Sequence, residues 1–130
     1  MQRAYDLEAR LLDYAVTVVR LVEKMPKTRT ANHIGGQLLR SGTSPLLNHG
    51  EAQAAESPND FVHKLKVCLK ELRESQRSLR LIEKVPLHED KDAVASVLRE
   101  TDELIRIFVA SIRTAAKSKM QENNDIGYGS

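Results

Sequence analysis

From residue 61 onward, small and apolar side chains fall at Phe61, Leu65, Cys68, Leu72, Ser75, Leu79 and Ile82, in alternating steps of four and three over three heptads. Only an α-helix, at about 3.6 residues per turn, lines such a set up on one face; a strand would scatter it over both. This run therefore commits the middle of the chain to a long helix packed through one seam. Its limits are also legible. Ser57 suits an N-cap, Pro58 suits the first helical position, and Asp60 completes a capping-box-like pattern. Pro86 stops the helix, and "VPLHED" forms a loop in which Asp90 or a neighbour caps the next helix.

The same steps recur on both sides. Leu7, Leu11, Tyr14 or Ala15, Val18, Leu21 or Val22, and Met25 mark a first helix that stops near Lys24, because Pro26 disfavours helical geometry at Met25. A second begins near Thr30 or Ala31, with Ile34, Leu38 and Leu39 as its apolar edge. Pro45 then falls inside the pattern. In a helix it removes one hydrogen bond and presses on the Ser41 carbonyl, a cost of about 3 kcal/mol. Small residues before it leave room for a kink, and nearby hydroxyls are available to the freed carbonyl, so the helix is expected to continue, kinked, through Leu46, Leu47 and "EAQAAE". A fourth helix carries Val94, Val97 or Leu98, Thr101, Leu104 or Ile105, Phe108, Ser111 or Ile112, and Ala115, and fades near Lys119. The segment "QENNDIGYGS" has no period and is expected to fray.

Four amphipathic helices, short loops and no strand signal predict an all-α fold, an antiparallel up-down-up-down four-helix bundle over residues 3–119 with a flexible tail over 120–130. A chain of 130 residues suits one such domain, and 4% aromatic content without Trp suits a core of Leu, Val, Ile and Ala.

The chemistry excluded is as informative. One cysteine, Cys68, allows no intrachain disulfide, which fits a reducing compartment. There is no signal-peptide core and no apolar run near the ~20 residues that span a bilayer, so a cytoplasmic protein without a membrane role is expected. Cys68 lies on the apolar seam and reads as a core residue. "SGTS" is no nucleophile elbow, and "IGGQ" lacks the ending of a phosphate loop. A di-iron bundle needs two Glu-x-x-His motifs; the chain offers one Asp-x-x-His, from Asp60 to His63. His49, Glu51, Glu56 and His63 read as surface or interface polar residues. No catalytic residue, metal or cofactor is expected.

One charge pattern stands out against a net charge of +2. Lys66, Lys70, Arg73, Arg77, Arg80 and Lys84 repeat at four, three, four, three, four. At ~100° per residue this stripe points about 150° from the apolar seam, out of the bundle. Lys64 and Arg40 are candidate extensions, while Glu71 and Glu74 lie beside it. The stripe admits three readings: a solvated face with pairs such as Lys70–Glu74, a phosphate-binding row for RNA or DNA, or a subunit interface. The small residues from Gly35 to Ala55 likewise admit tight packing inside the bundle or a contact between subunits.

Over residues 37–84 the runs "LLRSGTS", "EAQAAES" and "DFVHKLKVCLKELRES" resemble the four-helix bundle proteins associated with intervening sequences of 23S rRNA genes, to which accessory variability proteins of diversity-generating retroelements are related. The resemblance extends over roughly residues 3–117. It implies an antiparallel bundle that assembles as a ring, typically a homopentamer, with a second helix continuing through its Ser/Thr-rich segment. Most members have no established activity; the retroelement relatives bind nucleic acid, and Arg40, Lys64, Lys66, Lys70 and Arg73 match their basic positions by residue type. The expectation is a non-enzymatic, homo-oligomeric protein that binds RNA or DNA weakly and without sequence preference, with Arg77 and Arg80 completing the basic row. The alternative is a structural or protein-binding adaptor.

Overall fold

The computed structural model describes residues 6–129, and the side chains of that range except 119 and 122–129. Four helices follow one another: α1 Leu7–Glu23, α2 Arg29–Gln53, α3 Pro58–Lys84 and α4 Lys91–Gly129. No strand occurs among the described residues.

The helix starts follow local chemistry. The Ala31 amide donates to Thr28 Oγ1 at 3.1 Å, the Asp60 amide to Ser57 Oγ at 3.1 Å, and the Ala93 amide to Asp90 Oδ1 at 2.9 Å. Each cap satisfies a donor that the first helical turn leaves open, worth about 1 kcal/mol. Thr28 in this role starts α2 at Arg29, slightly before the predicted Thr30.

α2 runs unbroken through Pro45. Its hydroxyls bond carbonyls one and two residues before the one expected. Ser44 Oγ donates to the Arg40 carbonyl at 2.7 Å and Thr43 Oγ1 to the Leu39 carbonyl at 2.7 Å, rather than to Ser41. Such back-bonding to the preceding turn favours a bent helix.

The directions of the helices follow from their contacts. Along α2 and α3, Arg40 meets Glu74, Ser41 meets Ser75, Asn48 meets Glu71 and Glu51 meets Lys64. One number rises as the other falls, so the pair is antiparallel. Likewise Val18 packs on Gly42 while Met25 packs on Gly35 between α1 and α2. Arg10 meets Glu100 while Leu21 meets His88 between α1 and the α4 side. Together these alternate around the bundle, with α1 opposite α3 and α2 opposite α4.

The core gathers Leu11, Val18 and Leu21 from α1, Leu38 from α2, Leu65, Cys68, Leu72, Leu79 and Ile82 from α3, and Val94, Leu104 and Phe108 from α4. The predicted α3 seam holds except at its first turn, where Val62 is buried and Phe61 is only half-buried. Leu39, predicted on the α2 edge, stands out in solvent. The core is not purely apolar. Thr101, Tyr14, Ser75 and Ser41, all buried and one from each helix, form a chain of hydroxyls: Tyr14 to Thr101 at 2.6 Å, Tyr14 to Ser75, and Ser75 to Ser41 at 2.8 Å. A polar chain across the centre favours one register of the four helices, because a slipped helix would strand its hydroxyl without a partner.

α4 continues as helix to Gly129, beyond the expected fading near Lys119. Extending an existing helix adds one hydrogen bond per residue without a new nucleus, so the loss of apolar period does not by itself end it.

Candidate nucleic-acid interface

α3 presents its cations as the spacing predicts. Lys66, Lys70, Arg73, Arg77, Arg80 and Lys84 are all exposed. None makes an ion pair among the described residues. The pair Lys70–Glu74, available one turn apart on α3, is not formed. Glu74 turns to α2 and meets Arg40 at 3.4 Å. Glu71 also turns to α2, accepting from Asn48 Nδ2 at 2.9 Å, and its half-buried position raises its carboxyl above the usual range. The two acids beside the stripe are thus drawn away from it by α2.

Arg40 and Lys64 stand apart from the other five predicted site residues. They lie on the α2 flank of α3, Arg40 against Glu74 and Lys64 against Glu51 at 2.7 Å. The Glu51 bond raises the Lys64 ammonium, keeping it charged but engaged. The structure brings Lys66, Lys70, Arg73, Arg77 and Arg80 together on one open face, with Lys84 at its end. Where Glu71 and Glu74 point was not readable from α3 alone, since their partners are 23 and 34 residues away on α2.

The other candidate chemistry is placed clearly. Cys68 is fully buried, its thiol facing the Pro45 carbonyl at 3.6 Å and pushed up to about 12 by burial. Among the described residues no three of His, Cys, Asp and Glu gather to hold a metal ion. His49 is buried with its ring edge on Phe108; burial lowers its pKa, against Glu8 at 3.7 Å. It borders a cleft of about 880 Å³ lined mainly by small and apolar groups, including Ala52, Phe61, Val62, Ser111 and Ala115. The short side chains of α4 there explain why Phe61 is left half open. No described helix is long and apolar enough to cross a membrane.

The small residues of α2 divide between both predicted uses. A Cβ on Gly42 would lie 2.8 Å from Val18 Cγ1, and one on Gly35 3.1 Å from Met25 Sδ, so these glycines let α1 approach. Gly36 and Gly50 face open space. Near them Leu39 and Leu47 are exposed, as are Leu12, Val16 and Val19 on α1.

Comparison with known proteins agrees with this architecture. A Bacteroides thetaiotaomicron crystal structure, described as a protein of unknown function from a ribosomal protein family, superposes with a TM-score of 0.73 at 28% identity, covering 81% of this chain and 96% of that one. No curated protein matches. The model of the 23S rRNA-intervening sequence protein family matches residues 5–110. The chain therefore belongs to the 23S rRNA-intervening sequence protein family.

Proposed function

We propose that this protein is a non-enzymatic, cytoplasmic, oligomeric bundle that binds RNA or DNA weakly through the backbone, using the α3 row Lys66, Lys70, Arg73, Arg77 and Arg80. One observation carries this reading: the row is exposed and unpaired, while Glu71 and Glu74 beside it are engaged by α2. Cations left free at regular spacing displace counterions from a phosphate backbone, and each phosphate neutralised on B-DNA contributes about 0.9 to the salt slope. Copies of the chain joined in a ring, a homopentamer by family resemblance, would repeat the row. Several weak contacts on one polymer then gain through effective concentration. The exposed apolar residues Leu12, Val16 and Val19 on α1, with Leu39 and Leu47 on α2, supply a face for such joining that is separate from the row. Exposed apolar surface, where it is continuous, marks contact sites.

A gel-shift titration with structured RNA tests the reading. Binding at low salt that falls steeply as salt rises is expected; no binding at low salt removes it. The exposed apolar face also favours a second reading, a structural or protein-binding adaptor that docks its partner there. Native mass spectrometry separates assembly from a heterologous partner by counting identical subunits.

A further inference from the structure

α4 carries a second row. Arg99, Arg106 and Arg113 recur every seven residues, are exposed, and make no ion pair among the described residues. Seven residues are nearly two full turns, so the three arginines share one face at a rise of about 10.5 Å each. The acids of α4 that could neutralise them are engaged elsewhere. Glu100 and Glu103 hold Arg10 of α1, and Asp102 accepts from Gln76 of α3 at 2.6 Å. That last bond also sets the antiparallel register of α3 and α4. To within about one residue it places Arg80 beside Arg99, Arg73 beside Arg106, and Lys66 beside Arg113. These α3 members are themselves seven apart. At ~100° per residue the α3 row leans toward α4, and the α4 row leaves the outer side of its helix, so both rise from the same face of the α3–α4 layer. The axes of the two helices that carry them lie about 8–10 Å apart.

We propose that this two-row face is a cradle for the phosphodiester backbone of a double-stranded nucleic acid, one row serving each strand across a groove. The inference rests on the α3 reading and adds the second row and the duplex form of the ligand. Two parallel lines of cations at a fixed separation fit two lines of phosphate, and the grooves of B-DNA are about 6 and 12 Å wide. Single strands are usually gripped by a basic groove that also stacks their bases on aromatic rings. No described aromatic side chain stands on this face: Tyr14 and Phe108 are in the core, and Phe61 borders the cleft. Asp102 lies between the rows, and its bond to Gln76 partly occupies it.

The test uses the whole chain in anisotropy titrations across a salt series. The probes are a short DNA duplex, the same duplex as RNA, one unpaired strand, and polyglutamate. The variant R99Q/R106Q/R113Q alters exposed side chains only; a single R106Q serves if the triple variant fails to fold by circular dichroism. The unmodified protein is expected to favour a duplex over the strand and to ignore polyglutamate. The triple variant should flatten the log–log salt slope on the duplex by about 2.7, and R106Q by about 0.9. If the unmodified protein binds no nucleic acid, the α3 reading falls and this one with it. If it binds and the triple variant keeps its slope, only the α4 row is overturned. Equal binding of strand and duplex overturns the duplex assignment, and equal binding of polyglutamate overturns recognition of a phosphate backbone. The DNA and RNA arms show which duplex is the stronger ligand.

Discussion

The contact between α1 and α2 can be tested at a single methyl group. In Gly42→Ala the new Cβ would lie 2.8 and 2.9 Å from the two Cγ atoms of Val18, and Val18 is fully buried. Neither side can yield easily, since the clashing carbons sit on a stiff β-branched side chain. Overpacking of this kind costs about 1–3 kcal/mol. Alanine is favoured over glycine inside a helix by about 1 kcal/mol, which opposes it. A net loss of up to about 2 kcal/mol is expected. Val18→Ala alone removes two carbons, at about 0.8 kcal/mol each before any cavity term, so about 2–3 kcal/mol in all. In the double variant the methyl introduced by Gly42→Ala enters the space vacated by the Val18 side chain. The combined loss should then fall short of the sum by at least about 1 kcal/mol, where independent sites would add to within about 0.5. Chemical denaturation of all four proteins at equal concentration measures the cycle. Additive effects, or a Gly42→Ala protein about 1 kcal/mol more stable than its parent, would refute this packing.

Three further outcomes follow from buried polar groups. Burial raises the Glu71 carboxyl, so the folded state holds its proton more tightly than the unfolded state. The charged form therefore costs stability at neutral pH, and that loss is recovered as pH falls through the folded pKa. Glu71→Gln, which keeps an acceptor for Asn48, should raise the melting temperature at pH 7, with the gain vanishing in acid; a gain that does not depend on pH contradicts the assignment. Tyr14→Phe deletes the middle of the core hydroxyl chain and should cost about 1–1.5 kcal/mol by denaturant titration, and no loss would mean that the chain does not stabilise the fold. The Cys68 thiol, pushed up to about 12 and fully buried, should resist a thiol reagent in the native protein and react on unfolding; rapid native labelling would show the α2–α3 seam to be open.

Much of the fold was legible because it rests on local rules. The heptad spacing of Leu65, Cys68, Leu72, Ser75, Leu79 and Ile82 requires only helical geometry, and the caps at Ser57 and Asp90 require only neighbours three residues on. The failures lie where a distant element decides. Phe61 and Val62 are adjacent in sequence and both apolar; the small side chains of Ser111 and Ala115 on α4 leave Phe61 at a cleft while Val62 turns inward. Glu71 and Glu74 lie beside the basic stripe in the sequence, yet Asn48 and Arg40 on α2 draw them aside. The outward direction of Lys70 and Arg77 needed only the period. The pairing of the α4 row with the α3 row needed the register set by Gln76 and Asp102, which no local pattern contains.

In the proposed role, cations projecting from α3 hold nucleic acid without helping to build the protein or its assembly. Charge reversal at Lys70 and Arg73 separates these roles, because both are exposed and unpaired. The decisive measurement pairs an RNA-binding titration of Lys70→Glu/Arg73→Glu with native mass spectrometry of the same sample. Binding lost at low salt with the subunit count unchanged is expected. Binding retained at the parent's strength, or an assembly that falls apart, would contradict it.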